Sequence, residues 1–266
     1  MNTDTQVPQI VYRVENGVAW LVIDQPAKMN AMRLEMWIGL AEALAQADAD
    51  PAVCAIALTG AGERSFCAGA DISQFGEKRS TPADVLYYDH AVERACAALG
   101  GAQKPTIAVI SGICFGGGME LAMYCDLRIA SSTSRFRIPA ARLGLGYGYG
   151  SIELMARKIG IGPVADLLIS ARIIEGAAAL RMGIVNALFD AETFRVEAQS
   201  YLAMIGKNAP LTLKAIKRAL IELTRPEAAR DIGAVDELVA ACFASQDYRE
   251  GQLAFREKRD PVFTGC

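Results

Sequence analysis

The sequence predicts an α/β protein with a mostly parallel sheet and a helical C-terminal part. Up to Ala130, short apolar segments rich in Val, Ile and Ala alternate with longer amphipathic segments, as in βαβ units. From about Gly150 onward, apolar residues recur almost throughout at helical spacing. With 266 residues, of which 52% are hydrophobic, the chain is also long enough to bury a substantial core.

The first predicted elements form a hairpin. Ile10–Arg13 and Val18–Asp24 are predicted strands, and the Asn16-Gly17 pair between them is typical of a two-residue hairpin turn. An amphipathic helix is predicted over Met32–Ala49. The remaining elements of this part are strand Val53–Thr59, helix Pro82–Leu99, strand Pro105–Ile110, a helix that ends near Tyr124, and strand Leu127–Ala130.

The second part is predicted to be mainly helical. Its predicted helices are Ser151–Lys158, Pro163–Ala171, Gly176–Met182, Ala191–Ile205, Pro210–Leu223, Pro226–Ala244 and Asp247–Glu257.

Composition excludes several classes of protein. The net charge of −3 and the pI of about 5.4 do not fit a nucleic-acid-binding surface, which needs a basic patch. No apolar segment approaches the roughly 20 residues of a membrane span. Residues 1–17 lack the basic and apolar regions of a secretory signal, so we expect a cytoplasmic protein that binds neither membrane nor nucleic acid.

Cysteine and histidine usage predicts neither a disulfide framework nor a metal site. The seven cysteines contain no CxxC pair, and an odd number cannot pair completely. We expect them to be reduced and mostly buried. They are Cys54, Cys67, Cys96, Cys114, Cys125, Cys242 and Cys266. The single histidine, His90, lies in a predicted helix and cannot build a histidine-rich metal site, so we predict no metal and no functional role for it.

The segment most suggestive of a functional site is Ser111–Asp126, which reads SGICFGGGMELAMYCD. Its glycine triplet, Gly116–Gly118, lets the backbone approach another group closely. A helix begins directly after it, so free N–H groups and the positive end of a helix dipole would face that group. Because this helix is apolar on nearly all sides, Glu120 in its first turn is expected to be buried, with a raised pKa that suits acid–base chemistry. The alternative is that Glu120 is an exposed first-turn residue that favours the helix dipole.

Two further segments carry weaker signals. In Thr59–Ile72, a strand ends in a glycine-containing loop in which Asp71 could cap a helix. Phe136–Gly150 is rich in glycine and contains Tyr147 and Tyr149, which could be packing residues. Neither G-x-G-x-x-G, nor a P-loop, nor a G-x-S-x-G elbow occurs in these segments.

Together these segments resemble the enoyl-CoA hydratase/isomerase family, also called the crotonase superfamily. The resemblance covers nearly the whole chain and implies a crotonase-like (ββα) spiral core. The matching motifs are Asp24–Ala31, Thr59-Gly60, Ser65–Asp71, Gly112, Gly116–Ala122, Cys125-Asp126, Phe136, Pro139, Leu143–Leu145, Ala179–Asn186 and the closing stretch Glu250–Phe263.

The resemblance implies a coenzyme A thioester as substrate and no separate cofactor. It implies that the N–H groups of Ala70 and Gly117 form an oxyanion hole for a thioester enolate and that Glu120 is the acid/base. It also implies a groove for the CoA adenine and pantetheine. The residues expected to line this groove are Lys28, Ala68, Asp71 and Ile72, with Lys258 and Phe263 closing it from the same chain or from a neighbouring subunit.

One departure from the family pattern leaves the reaction open. Hydratases of this family use two glutamates, and where the second stands in L-P-E-V-K-L-G, this chain has Ala140. Candidates for the missing partner of Glu120 are Tyr147, Tyr149 and Glu153. Tyr147 matches a tyrosine of family decarboxylases similar to methylmalonyl-CoA decarboxylase.

Three functions therefore remain. The first is an acyl-CoA lyase of the enoyl-CoA hydratase type. The second is a decarboxylase of malonyl-type thioesters or an enoyl-CoA isomerase that uses the same oxyanion hole. The third is a non-catalytic acyl-CoA-binding protein.

The resemblance also implies a division of the chain and an assembly. Residues 1–200 are expected to form the α/β core, and residues 201–266 a helical part for oligomer contacts and active-site closure. The expected assembly is a homotrimer or a dimer of trimers.

Overall fold

A computed structural model describes residues 7–265 of the chain. Its strands are β1 Gln9–Glu15, β2 Val18–Asp24, β3 Ala55–Gly60, β4 Ser65–Cys67, β5 Thr106–Ile110, β6 Ile113–Phe115, β7 Leu127–Ser131, β8 Arg135–Arg137, β9 Ile174–Glu175 and β10 Ala187–Phe189. Two parts of the sequence predictions lie outside the described residues. They are residues 1–6, in the segment where no secretory signal is expected, and the cysteine Cys266.

Helices account for most of the remaining regular structure. They are α1 Leu34–Ala49, α2 Phe75–Lys78, α3 Pro82–Gly101, α4 Gly117–Tyr124, α5 Ala140–Leu143, α6 Tyr149–Ile159, α7 Ile161–Ala165, α8 Gly176–Arg181, α9 Phe194–Gly206, α10 Pro210–Thr224, α11 Ile232–Ala244 and α12 Gln246–Glu257. Across residues 7–265, no helix combines the length and the apolar character needed to cross a bilayer.

Within residues 7–265, the strands form two sheets. The larger sheet has the order β1-β2-β3-β5-β7-β10, and all its pairs are parallel except the β1–β2 hairpin. The smaller sheet has the order β4-β6-β8-β9 and is parallel except for β8–β9. Strands β3, β5 and β7 of the larger sheet are each followed by a short strand of the smaller sheet and then by a helix. The chain therefore repeats a strand–strand–helix unit, and the smaller sheet extends from the carboxyl ends of the larger one.

The two faces of the larger sheet are buried against different helices. Leu21 faces a core that includes Trp37 of α1, whereas the adjacent Trp20 faces the other side, because side chains alternate along a strand. That second side is covered by α9, whose Phe194 and Leu202 are buried there. Burial on both faces explains why the central strands are apolar throughout.

The sequence located the larger sheet well. Asn16 and Gly17 both have positive φ, at 51° and 76°, as the predicted hairpin turn requires. Every strand and helix predicted before residue 131 occurs, with shifts of a few residues at the ends. The smaller sheet was missed, because strands of two or three residues are too short to display a periodicity.

The helical part departs from its predicted boundaries in three places. The helix predicted over Pro163–Ala171 consists of α7 and a wider π-type turn, Asp166–Ser170. The helix predicted over Pro226–Ala244 begins only at Ile232, after a short 3₁₀ turn. The expected division at residue 200 falls inside α9, which packs on the larger sheet.

The cysteines of the described part are unpaired, and most are buried. Cys67, Cys96, Cys114 and Cys125 are each at most 3% exposed, whereas Cys54 and Cys242 are partly exposed. Burial raises the pKa of both Cys67 and Cys125 to about 12. These thiols therefore remain protonated and pack as small apolar side chains.

Candidate active site

The glycine triplet forms the junction between β6 and α4. Gly116 has φ 51° and ψ −119°, a conformation that side chains other than hydrogen rarely tolerate, and it turns the chain into the helix. A Cβ on Gly118 would lie 2.3 Å from the carbonyl oxygen of Cys67, so no larger residue fits there. The triplet therefore serves both a sharp turn and a close approach between α4 and β4.

Pairing of β4 with β6 brings two loops together. Ser65 pairs with Ile113, and Cys67 pairs with Cys114, so the residues after β4 lie beside the glycine triplet. A Cβ on Gly69 would lie 3.3 Å from the backbone nitrogen of Gly117. Segments separated by almost fifty positions in the sequence thus meet at the N-terminus of α4.

Two backbone N–H groups at this meeting point have no acceptor. Met32 forms an isolated parallel bridge with Ala70: its N–H donates to the carbonyl of Gly69 (2.7 Å), and its carbonyl accepts from the N–H of Asp71 (2.8 Å). In a parallel ladder this pattern turns the N–H of Ala70 away from Met32. Within residues 7–265, neither this N–H nor that of Gly117 donates a hydrogen bond.

Glu120 lies in the first turn of α4, and its side chain is partly buried rather than fully so. Burial raises the pKa of its carboxyl above the usual value, because a desolvated charge is costly. A hydrogen bond from Ser151 acts in the opposite direction; the Ser151 Oγ donates to Glu120 Oε1 at 2.5 Å. The result is a carboxyl whose raised pKa suits acid–base chemistry.

Tyr147 is the predicted partner residue that lies beside Glu120. Its hydroxyl is buried and has no hydrogen-bond partner among the described residues. Burial raises the pKa of Tyr147, and the negative charge of Glu120 raises it further. The hydroxyl therefore stays protonated and is available as a donor to a bound molecule.

The other two candidate partners are directed elsewhere. The side chain of Tyr149 is 76% exposed at the start of α6. Glu153 forms a surface ion pair with Arg157 at 3.0 Å. Neither of these candidates is directed at Glu120, because the first turn of α6 presents Ser151 to that carboxylate. Ala140 is buried at the start of α5 and carries no titratable group.

The predicted CoA-binding residues near β4 form a charged cluster. The Lys28 Nζ lies 2.9 Å from Asp71 Oδ2 and donates to Ser73 Oγ at 2.6 Å. Asp71 caps a 3₁₀ turn by accepting from the N–H of Ser73. Burial alone would raise the pKa of Asp71. The hydrogen bonds from Ser73 and Lys28 outweigh this effect, so the pKa of Asp71 is lowered.

The remaining predicted binding residues lie in two places. Ala68 is partly buried between β4 and Ala70, and its N–H donates to the carbonyl of Met29. The side chain of Ile72 is 73% exposed next to the Lys28–Asp71 pair. Lys258 and Phe263 follow α12, where Phe263 faces a groove between α10, α11 and α12. The described residues that line this groove do not include the predicted catalytic residues Glu120, Ala70, Gly117 and Tyr147.

Comparison with known proteins decides the family. A family profile described as Enoyl-CoA hydratase/isomerase matches residues 13–266, nearly the whole chain. The chain belongs to the enoyl-CoA hydratase/isomerase family. The sequence resemblance is therefore confirmed.

Relatives in this hydratase/isomerase family match over almost their full lengths. The short-chain-enoyl-CoA hydratase of Clostridium acetobutylicum is 32% identical over 255 residues, which cover 96% of this chain and 97% of that protein. The crotonyl-CoA hydratase of Syntrophomonas wolfei is 33% identical over 254 residues, with coverage of 96% and 97%.

Solved structures from the enoyl-CoA hydratase/isomerase family share the fold. The crystal structure of an enoyl-CoA hydratase/carnithine racemase from Magnetospirillum magneticum is 31% identical and has a TM-score of 0.91. The match covers 97% of this chain and 96% of that chain. The repeated strand–strand–helix units are thus the crotonase-like (ββα) spiral that the sequence implied.

Ser151 is the residue of this site that sequence reasoning missed. It lies 31 positions after Glu120, and no local spacing connects the two. Its position in the first turn of the helix that follows the glycine-rich segment is the only signal in the sequence. The single histidine, His90, is exposed on α3.

Proposed function

We propose that this protein is an acyl-CoA lyase of the enoyl-CoA hydratase type. The observation that carries the proposal is the placement of a partly buried carboxyl, Glu120, in the first turn of α4, at whose N-terminus the N–H groups of Ala70 and Gly117 meet without an acceptor among the described residues. Such a pair of donors suits the oxygen of a thioester as it gains negative charge. The names of the relatives, among them crotonyl-CoA hydratase, support a short enoyl-CoA as substrate.

The proposed reaction needs one group that both takes and returns a proton. The Glu120 carboxylate accepts a proton from water while the water oxygen bonds to Cβ of the enoyl group. The electrons of the double bond move onto the thioester oxygen, where the N–H groups of Ala70 and Gly117 stabilise the enolate. Glu120 then delivers the proton to Cα, so that one water molecule has been added in full. A single carboxyl is sufficient for this sequence, although Ala140 supplies no second one.

Substrate binding is proposed to use the predicted groove. Lys28, Ala68, Asp71 and Ile72 would contact the adenine and pantetheine of CoA, and the exposed Lys28 ammonium supplies a positive charge for a phosphate. Lys258 and Phe263 would close the groove, either in this chain or from a neighbouring subunit.

Turnover of crotonyl-CoA by the protein and its Glu120→Gln variant tests the proposal. We expect hydration by the wild-type protein and a loss of about 10²–10⁴-fold in the variant, the usual contribution of a general acid–base group. Glutamine keeps the shape of the side chain and its ability to accept from Ser151 while removing the proton transfer. Undiminished hydration by Glu120→Gln would contradict the proposal.

Decarboxylation or double-bond isomerisation is the second candidate, favoured by one observation. The Tyr147 hydroxyl is buried without a partner beside Glu120, while Ala140 offers no second carboxyl. In a malonyl-type thioester, the bond to the carboxylate would break, carbon dioxide would leave, and the electrons would form the same enolate before Cα takes a proton. Tyr147 would then orient the leaving carboxylate.

An acyl-CoA panel analysed by mass spectrometry separates these candidates. Gain of water identifies hydration, and loss of carbon dioxide from methylmalonyl- or ethylmalonyl-CoA identifies decarboxylation, which Tyr147→Phe should then reduce. Isomerisation keeps the mass and needs chromatography. Tight acyl-CoA binding by calorimetry without any product would instead identify a non-catalytic binding protein.

We further propose a homotrimer or a dimer of trimers as the assembly and the cytoplasm as its location. The groove between the C-terminal helices exposes large apolar side chains, including Val239, Phe243 and Phe255, as a surface covered by another subunit would. Sedimentation velocity tests the assembly, and a monomer at micromolar concentration would contradict it.

A further inference from the structure

Helix α6 lies alongside α4 and is joined to it near both ends. In its first turn, the Ser151 Oγ donates to Glu120 Oε1 at 2.5 Å. In its last turn, the Lys158 Nζ donates to the carbonyl oxygen of Cys125, the C-cap of α4, at 2.6 Å. Residues seven apart lie on the same face of a helix, two turns from one another. One face of α6 thus holds both the carboxylate and the end of the helix that carries it.

We propose that Ser151 is a positioning residue for Glu120, which fixes one carboxylate oxygen and leaves the other free to exchange the proton. This inference rests on the proposed role of Glu120 as the proton-transferring group. None of the sequence motifs described above includes Ser151 or gives it a role.

The hydrogen bond from Ser151 suits both states of a group that alternates between charged and neutral. A carboxylate oxygen accepts a hydroxyl proton whether the acid is ionised or carries its proton on the other oxygen. Among the described residues, no side chain or backbone group donates to Glu120 Oε2. The proton therefore has one available position, and the carboxyl does not have to turn during the reaction.

The surroundings of Glu120 leave Ser151 as the group that stabilises its charge. The titratable side chains near it are Cys96 of α3, Tyr124 of α4, and Tyr147 in the segment before α6. Their raised pKa values keep all three neutral at neutral pH. Within residues 7–265, no cation lowers the pKa of Glu120, whereas the Ser151 hydroxyl does.

Kinetics of Ser151→Ala and Ser151→Thr test the role of the hydroxyl. In Ser151→Ala we expect kcat to fall roughly tenfold with KM nearly unchanged, because a loosely held carboxyl affects the chemical step more than binding. The acidic limb of the kcat/KM profile should move to higher pH, since the ionised form loses its donor. Ser151→Thr keeps the hydroxyl, so its kcat and the position of its acidic limb should be close to those of the wild-type protein.

Lys158→Met is the matched control at the other end of α6. It removes the second contact between α6 and α4 without removing the donor to Glu120. We expect a lower unfolding temperature and no movement of the acidic limb. An equal shift of the limb in Lys158→Met and Ser151→Ala would overturn the proposal, because a general loosening of α6 would then explain both.

Carbon-13 NMR of selectively labelled glutamate provides a readout that does not depend on turnover. The Glu120 carboxyl resonance is assigned by its absence in Glu120→Gln and is then titrated in the wild-type protein and in Ser151→Ala. We expect the variant to titrate at higher pH. A Glu120 titration that is the same in Ser151→Ala as in the wild-type protein would overturn the proposal, even if the enzyme is active. A shifted titration in a protein that turns over no thioester would instead reject the proposed function while supporting the contact between Ser151 and Glu120.

Discussion

Lys217 of α10 places its ammonium 2.7 and 2.8 Å from the two carboxylate oxygens of Asp126, directly after α4. The lysine is almost fully buried, and Asp126 also accepts from the N–H and hydroxyl of Thr106. This ion pair is therefore a buried connection between the C-terminal helices and the end of the helix that carries Glu120.

Breaking this pair should destabilise the fold. We expect Lys217→Met to lower the free energy of unfolding by about 3–5 kcal/mol, because it removes the one ammonium that is hydrogen-bonded to both oxygens of the Asp126 carboxylate. Urea unfolding at neutral pH measures the loss. The double variant Lys217→Met/Asp126→Asn should lose less than the sum of the two single variants, since it no longer contains an unpaired charge. Strictly additive losses would contradict this account.

Adjacent glycines of the triplet should respond very differently to alanine. In Gly118→Ala the Cβ would lie 2.3 Å from the carbonyl oxygen of Cys67, so the protein should lose several kcal/mol of stability. In Gly117→Ala the nearest atoms belong to the Trp37 ring at 3.4–3.5 Å, so the fold should survive.

The added methyl group at Gly117 should act on catalysis instead. It would stand beside the N–H that is proposed to bind the thioester oxygen, and a misplaced substrate can lose about 10²-fold in rate. Thermal melts and thioester turnover on both variants make the comparison. A fully active, stable Gly118→Ala protein would disprove the close approach, and an unaffected kcat/KM in Gly117→Ala would argue against the oxyanion hole.

Glu120→Gln should be more stable than the wild-type protein at neutral and alkaline pH. Because burial raises the pKa of Glu120 in the folded state, the wild-type protein loses stability as the pH rises from the ordinary glutamate pKa to the folded-state pKa, and the loss is complete above it. The glutamine carries no charge, so we expect a gain of about 0.5–2 kcal/mol, the usual size of a stabilising substitution. The gain should vanish as the pH falls and the wild-type carboxyl becomes neutral. Thermal unfolding from pH 4 to pH 9 measures it, and a gain that grows toward low pH would reverse the expected sign.

Lys28→Ala should weaken substrate binding without slowing the chemical step. Loss of its charge is expected to raise KM for a CoA thioester roughly fivefold to tenfold and to leave kcat unchanged, since this contact is the same in the ground and transition states. Steady-state kinetics at low and high salt measure both constants. Lys207→Ala, beyond the end of α9, removes the same charge and should change neither. A fall in kcat with constant KM would contradict a binding role for Lys28.

Local patterns identified the elements that carry their own signals. The Asn16-Gly17 turn, the apolar central strands and the turn at Gly116–Gly118 are all set by residues close in sequence, and each occurs as predicted. The strands of the smaller sheet were missed because they are stabilised by pairing with one another. Each has only two or three residues, which is too short for a periodic pattern of apolar residues to be visible in the sequence.

The candidate site was predicted only in part for the same reason. Glu120 and the two backbone donors follow from motifs at fixed positions in the chain. Whether Tyr149 or Glu153 reaches Glu120 depends on how α6 is rotated about its axis, which is determined by packing against α4. That rotation turns Tyr149 outward and brings Ser151 to the carboxylate, which no count of intervening residues could have indicated.

The buried cysteines give this protein a set of natural reporters of conformational opening. A thiol-specific reagent attacks the thiolate, and the raised pKa values of Cys67 and Cys125 suppress that form in the folded state. The reagent must therefore wait until the protein opens around each thiol. Cys54 and Cys242 should react first, whereas the adjacent strand residues Cys67 and Cys114 should react only when the smaller sheet separates. Labelling rates read by peptide mass spectrometry would then rank the local stability of the spiral, turn by turn, in the unmodified chain.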